Sequence, residues 1–129
     1  MATILLVDDN NYIIETLSSY IKQSMKNPTV LMASNGKAAA DILESLPVDF
    51  VITDLQMPIM DGYALIDYRN RNFPQVPLVA MSGDTSPDAL ARLNALGVNE
   101  CLEKPFGYDE IVRLMLMTRS LVDCTVLAI

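Results

Sequence analysis

Short apolar runs alternate with stretches of helical periodicity along the whole chain. Five runs are rich in β-branched and other apolar residues, and each is followed by turn residues: TILLV (3–7), TVLMA (29–33), FVIT (50–53), PLVAM (77–81) and VNECL (98–102). The segments between these runs are too long for hairpin turns, so crossovers must join the strands. The pattern therefore predicts five parallel strands.

The intervening segments have the spacing of amphipathic helices. The apolar face of the first is made of Ile13, Ile14, Leu17 and Ile21. That of the second is made of Ala39, Ile42, Leu43 and Leu46. We expect the fourth helix to begin with Ser86 as its cap and Pro87 at its first position, and to end at Gly97. Strands that are apolar throughout need cover on both faces, which predicts a doubly wound α/β sandwich of three layers with five helices.

Composition and charge narrow the class of protein. The chain has 129 residues, 51% of them apolar, which suits one domain over residues 1–129 with a substantial core. The net charge of −7 disfavours direct binding to nucleic acid or to an anionic membrane. No membrane span or signal peptide is recognisable, so we expect a cytoplasmic protein. Cys101 and Cys124 belong to no CxxC pair, which favours free thiols.

Three carboxylates follow two of the predicted strands. Asp8 and Asp9 come directly after the first strand, and Asp54 comes directly after the third. In a doubly wound sheet, ligands bind outside the carboxyl ends of the strands, where the strand order reverses. If the order is 2-1-3-4-5, the first and third strands are neighbours and the three carboxylates converge. Their mutual repulsion then favours a bound hard dication such as Mg²⁺.

Two further strand ends carry groups that complement the carboxylates. Ser82 closes the fourth strand, and Lys104 follows the fifth. A hydroxyl and an ammonium directed at a carboxylate and a metal can cradle a phosphoryl group. Each residue alone also fits an ordinary turn or cap, and for Asp61 the favoured interpretation is that it caps the third helix. The distribution of different groups over four strand ends is what favours a reactive site.

Four motifs, in this order and spacing, resemble the receiver domain of two-component response regulators: LLVDDNN, VITDLQMPIMDG, VAMSGD and LEKPF. The resemblance spans essentially the whole chain and implies a flavodoxin-like fold. It implies that Asp54 is the phosphoacceptor. It also implies that Asp9, Asp54 and the backbone carbonyl of Gln56 bind Mg²⁺ directly, while Asp8 assists through water.

The same resemblance assigns roles at the fourth and fifth strands. Ser82 and Lys104 would contact the phosphoryl oxygens, and the bond between Lys104 and Pro105 is a candidate cis peptide. Receiver domains usually carry an aromatic residue three positions before this lysine, and here that position is Cys101. A thiol cannot sweep out the volume of a tyrosine ring. We therefore expect the usual aromatic readout of phosphorylation to be altered even if phosphorylation is intact.

The implied reaction is phosphoryl transfer to Asp54 from a sensor histidine kinase, a phosphotransfer protein or a small acyl phosphate. The domain would also hydrolyse its own acyl phosphate, so it would not be a conventional turnover enzyme. The chain contains no histidine, so it receives the group and cannot be the phosphohistidine donor. The main alternative is a receiver-like interaction module that binds its partners without phosphorylation. A flavodoxin-like cofactor carrier is a more distant alternative.

The segment over residues 110–122 carries two apolar stripes. The first is made of Ile111, Met115 and Val122, and the second is made of Leu114, Met117 and Leu121. Both stripes could belong to one broad buried face. Alternatively, the second stripe is exposed beside the fourth helix and fifth strand, where the resemblance implies dimer and partner contacts. That alternative predicts a homodimer, or partner docking, through helix four, strand five and helix five.

Overall fold

The computed structural model describes residues 2–118, in which strands and helices alternate strictly. The elements are β1 Thr3–Val7, α1 Asn11–Ser24, β2 Thr29–Ala33, α2 Gly36–Ser45, β3 Phe50–Asp54, α3 Gly62–Asn72, β4 Leu78–Ser82, α4 Pro87–Ala95, β5 Cys101–Glu103 and α5 Tyr108–Thr118. The predicted strands are all present. β3 ends one residue later than expected, and β4 both begins and ends one residue later. β5 begins three residues later, because Val98 is buried and its amide bonds to the carbonyl of Leu93 at 3.0 Å.

All five strands are parallel and lie in one sheet of order β2-β1-β3-β4-β5. The predicted order is therefore confirmed. The strand order reverses at β1, whose last residue, Val7, pairs with Ala33 on one side and Thr53 on the other. The carboxyl ends of β1 and β3 consequently lie level at the same edge of the sheet.

Helices cover both faces of the sheet. Ile4 of β1 packs in the core formed with α1 and α5, which includes Leu17 and Ile111. Its neighbour Leu5 packs in the opposite core with α2 and α3, which includes Leu65. α4 covers the same face as α3. The three layers are those predicted, and within residues 2–118 no helix is both long enough and apolar enough to cross a membrane.

The ends of α3 and α4 follow the sequence prediction. The carboxylate of Asp61 accepts a hydrogen bond from the amide of Ala64 at 2.8 Å and so caps α3. The hydroxyl of Ser86 accepts one from the amide of Ala89 at 3.3 Å. Gly97 follows α4 with a φ of +80°, a conformation that glycine adopts readily. The caps at Asp61 and Ser86 fix where α3 and α4 begin, after the carboxyl ends of β3 and β4. Gly97 fixes where the chain leaves α4 to return to the sheet.

The expectation for Leu46 was wrong. Leu46 was placed on the buried face of the second helix, but α2 ends at Ser45 and Leu46 is its cap residue, 48% exposed. The other expected face residues are closer to the prediction, since Ala39 and Leu43 are buried and Ile42 packs partly against the core. The helical pattern was extended one residue too far.

The two stripes of α5 do not separate into a buried and an exposed face. Ile111 and Met115 of the first stripe are buried, but so is Leu114 of the second, because the buried face of this helix is broad. Met117 is 54% exposed. The exposed-stripe prediction is thus wrong for Leu114 and right for Met117. Two members of the stripes lie outside the described residues: Leu121 and Val122.

Candidate functional site

Three carboxylates gather at the carboxyl edge of the sheet. Asp54 is the last residue of β3, and Asp8 and Asp9 directly follow β1. Since β1 and β3 are paired in level register, Asp8 is brought beside Asp54. One carboxylate oxygen from each of the three residues lies within 4.8 Å of the others. The convergence expected from the sequence is therefore present.

The three carboxylates differ in their exposure. Asp8 is 0% exposed and Asp54 is 8% exposed, whereas Asp9 lies at the surface. Burial raises the pKa of Asp54, the charge of Asp8 raises it further, and the nearby Lys104 opposes both effects without cancelling them. The surroundings of Asp54 therefore disfavour its ionised form, and a bound cation would stabilise that form.

Lys104 supplies an ammonium group between two of the carboxylates. Its Nζ lies 2.9 Å from Oδ2 of Asp8 and 3.2 Å from Oδ1 of Asp54. Burial by itself lowers the pKa of Lys104, but the hydrogen bond to Asp8 and the charges of both carboxylates outweigh it, so the pKa is raised. The sequence placed Lys104 at this edge but did not show that it bridges Asp8 and Asp54.

Ser82 ends β4 at the same edge and is buried. Its hydroxyl donates to the carbonyl of Asp84 and accepts from the amide of Asp84, both at 2.9 Å. The carboxylate of Asp84 in turn accepts from the amide of Ser86 at 3.0 Å, which lowers the pKa of Asp84. The Ser82 hydroxyl thus holds the start of the β4–α4 loop, and its contact with a phosphoryl group stays a prediction.

Gly62 supports Asp54 from the start of α3. A Cβ atom on Gly62 would lie 2.1 Å from the carbonyl oxygen of Asp54 and 2.7 Å from Cα of Leu55. The amide of Gly62 also donates to the carbonyl of Leu55 at 3.0 Å. Sequence reasoning missed this role. The available signal was the Asp61–Gly62 pair, which was interpreted only as a helix cap.

The remaining predicted residues around the site have mixed outcomes. The cis peptide between Lys104 and Pro105 is confirmed. Gln56 lies exposed in the loop after β3, two residues beyond Asp54, and the role of its carbonyl as a metal ligand stays a prediction.

Cys101 begins β5 and is half-buried against the core beneath α4, which includes Leu93 and Val98. Its thiol is free, and burial together with the charge of Glu103 raises its pKa. Cys124 lies outside the described residues. The side chain at position 101 is a small thiol, which fills less space than the ring of a tyrosine would.

The donor set of the cluster fits a hard divalent cation. Its ligand atoms are all carboxylate oxygens, which are the ligands that Mg²⁺ prefers in proteins. Three carboxylates face a single ammonium within the described residues, so the cluster keeps a net negative charge. Asp9 is exposed, which gives an ion access from solvent.

Comparison with known proteins adds independent evidence. The family model for the response regulator receiver domain matches residues 4–116. The chain is 34% identical over 103 residues to the autoinducer 1 sensor kinase/phosphatase LuxN of Vibrio campbellii, covering 80% of this chain and 12% of that protein. It is 32% identical over 114 residues to the putative response regulator NtrX-like of Rickettsia bellii, covering 87% of this chain and 23% of that protein. It therefore spans less than a quarter of the length of either relative.

The fold is also similar to those of solved receiver domains and response regulators. The signal receiver domain of an HD domain-containing protein from Pseudomonas fluorescens Pf-5 is 27% identical, with a TM-score of 0.81 over 95% of this chain and 87% of that chain. The chemotaxis response regulator CheY4 of Vibrio cholerae is 24% identical, with a TM-score of 0.82 over 91% of this chain and 98% of that chain, and shows the shared fold. The match over most of the chain is decisive: this protein belongs to the response regulator receiver domain family.

Proposed function

We propose that the Asp54 carboxylate takes a phosphoryl group from a phosphohistidine on a sensor histidine kinase or a phosphotransfer protein. The observation that carries this proposal is the placement of Asp54. It is buried, its Oδ1 lies 3.2 Å from Nζ of Lys104, and its carboxylate lies within 4.8 Å of those of Asp8 and Asp9. The domain would catalyse its own phosphorylation and dephosphorylation and would not be a conventional turnover enzyme.

The contacts of Asp54 suit it to act as the nucleophile. The amide of Leu55 and the ammonium of Lys104 both contact Oδ1, and no hydrogen bond to Oδ2 is found among residues 2–118. In the proposed step an Asp54 oxygen forms a bond to phosphorus as the P–N bond of the phosphohistidine breaks. The imidazole nitrogen takes the electron pair and a proton from solvent. Lys104 offsets negative charge near the reacting carboxylate, so positioning and electrostatics supply most of the catalysis.

Asp8, Asp9, Asp54 and the backbone carbonyl of Gln56 are the groups that would hold Mg²⁺. When bound, the ion would neutralise charge on the transferred phosphoryl oxygens. Asp8 already uses both oxygens, since Oδ1 accepts from the amide of Asn10 at 2.9 Å and Oδ2 accepts from the ammonium. Asp9 is exposed and its carboxylate has no hydrogen-bond partner in the described chain. This difference supports direct binding by Asp9 and Asp54, with Asp8 assisting through water.

We further infer that the modified domain acts through the surface of α4, β5 and α5, either in a homodimer or with a protein partner. Apolar side chains are exposed on both helices, with Leu90 on α4 and Leu116 and Met117 on α5. Leu114 is buried, so it is not one of the exposed apolar side chains of this surface. Partner contact, and not direct binding to nucleic acid or membrane, is consistent with the negative charge of the chain.

One observation favours a second candidate function. The half-buried Cys101 thiol lies where receiver domains usually carry an aromatic ring. A structural change caused by phosphorylation of Asp54 would therefore be passed to β5 and α4 by a smaller side chain. A receiver-like module that binds its partner without phosphorylation would tolerate that replacement. The two candidates differ in whether partner affinity depends on modification of Asp54.

Intact-mass spectrometry after incubation with acetyl phosphate and Mg²⁺ tests the main proposal. We expect the addition of one phosphoryl group to the wild-type protein and none to the Asp54→Asn variant. Asp88→Asn is a matched control, because it makes the same change in an exposed aspartate on α4. It should be modified like the wild type. Equal modification of Asp54→Asn and the wild type would mean that another residue is the acceptor. A wild-type protein that takes no phosphoryl group would refute the proposed function.

A further inference from the structure

A groove of about 410 Å³ lies between β5 and α5 and adjoins the phosphoacceptor site only at Lys104. β5 pairs only with β4 and therefore forms one open edge of the sheet. The groove runs along that edge and is bounded on its other side by α5. It is large enough to receive a few side chains of a bound segment.

The main chain of β5 offers hydrogen bonds to this groove. The carbonyl of Glu100 accepts from β4, and the amide of Lys104 donates to β4. Main-chain groups alternate in direction along a strand, so the amides and carbonyls of Cys101 and Glu103 point away from β4. Among the described residues these groups have no partner. An extended segment could therefore pair with β5 at these two residues.

The groove combines an apolar floor with an acidic rim. Its floor is formed by Val79, Leu102, Leu114 and Met117. Three glutamates also line the groove, at positions 100, 103 and 110, and Arg113 adds one cation. The carboxylate of Glu103 accepts a hydrogen bond from the hydroxyl of Thr85 at 3.4 Å, and that of Glu110 accepts one from the amide of Gly107 at 2.9 Å. Lys104 also borders the groove, but its ammonium is bonded to Asp8 at 2.9 Å and its charge is directed into the phosphoacceptor site.

We propose that this groove binds an extended segment of a partner protein that carries basic side chains interspersed with apolar ones. The segment pairs with the open edge of β5, its apolar residues fill the floor, and its Lys or Arg residues meet the glutamates. A second copy of this chain fits less well, because it would bring two acidic rims together in a protein of net charge −7. This partner class rests on the output surface proposed above, but binding to the groove does not itself require phosphorylation.

Selection from a phage-displayed library of random peptides tests the partner class without knowledge of the natural partner. We expect wild-type protein to enrich peptides that combine two or more Lys or Arg residues with apolar ones. A synthetic peptide of the enriched sequence should bind more weakly as ionic strength rises. Glu100→Gln and Glu103→Gln should each weaken its binding about two- to fivefold. Met117→Lys, which places a cation at an exposed position of the floor, should weaken it about tenfold or more.

Glu15→Gln and Glu44→Gln are matched controls, because they remove the same charge from exposed positions on α1 and α2. Both should bind the selected peptide like the wild type. Three results would overturn the inference: no enrichment, enrichment of peptides without basic residues, or equal binding to the Glu100→Gln and Glu103→Gln variants. Self-association that is lost in those variants would assign the groove to a second copy. Binding seen only after deletion of residues 119–129 would assign it to that segment.

The same variants separate this inference from the proposed function. Glu100 and Met117 lie outside the phosphoacceptor site, so their variants should be modified by acetyl phosphate at the wild-type rate. Peptide binding that is lost while modification persists supports a distinct docking groove. A wild-type protein that binds basic peptides but takes no phosphoryl group would refute the proposed function and leave the groove assignment standing.

Discussion

Replacing Gly62 with alanine should severely destabilise the protein. The added Cβ would lie 2.1 Å from the carbonyl oxygen of Asp54, 2.9 Å from its carbonyl carbon and 2.7 Å from Cα of Leu55. Overpacking costs about 1–3 kcal/mol where side chains can adjust. Here every close atom is backbone, so relief requires the end of β3 or the start of α3 to move. We therefore expect Gly62→Ala to lower the free energy of unfolding by about 3 kcal/mol or more.

Urea denaturation followed by far-ultraviolet circular dichroism measures this loss, and Gly83→Ala is the matched control. A Cβ on Gly83 would meet nothing within 4 Å, so its effect should stay within about 1 kcal/mol. Because the same movement displaces Asp54, Gly62→Ala should also slow modification by acetyl phosphate under conditions in which it remains folded. Unfolding free energies that agree between the two variants would refute the close approach of Gly62 to β3.

Three further predictions concern charge and readout. Without Mg²⁺, Asp54→Asn should be more stable than the wild type at neutral pH, because the raised pKa of Asp54 makes the wild type lose stability as pH rises through that pKa. Urea titrations should show this advantage shrinking toward about pH 4, and an advantage constant over that range would contradict it. Millimolar Mg²⁺ should raise the Tm of the wild type, and a chelator should reverse the rise. An unchanged Tm would contradict the proposed Mg²⁺ site. Cys101→Tyr should leave the rate of modification by acetyl phosphate nearly unchanged while altering the affinity of a phosphorylation-dependent partner. A large loss of modification would mean that this position packs against the site itself.

The topology and the acidic cluster were accessible from sequence because strong constraints act on them. Fully buried parallel strands and right-handed crossovers leave few possible orders, and the order 2-1-3-4-5 places the ends of β1 and β3 side by side. Asp8, Asp9 and Asp54 occupy those ends, and they meet in the order that makes β1 and β3 neighbours. The cap formed by Asp61 is equally local, since it depends on residues three positions apart.

Other features depend on three-dimensional distances that no pattern encodes. The bridge from Lys104 to Asp8 joins residues 96 positions apart and requires a particular side-chain direction. The close approach of Gly62 to the carbonyl of Asp54 depends on how the β3–α3 loop returns to the sheet. The burial of Leu114 was ambiguous because a helix with two adjacent apolar stripes fits both a broad core face and an exposed surface.

The central claim is that Asp54 is the residue that receives the phosphoryl group. Borohydride reduces an aspartyl phosphate to homoserine, so peptide mapping after treatment with acetyl phosphate, Mg²⁺ and borohydride identifies the modified position. We predict homoserine at position 54 in the wild type, with Asp8, Asp9 and Asp61 recovered as aspartate. Homoserine at another position, or unreduced Asp54 in protein whose intact mass shows a phosphoryl group, would contradict the assignment.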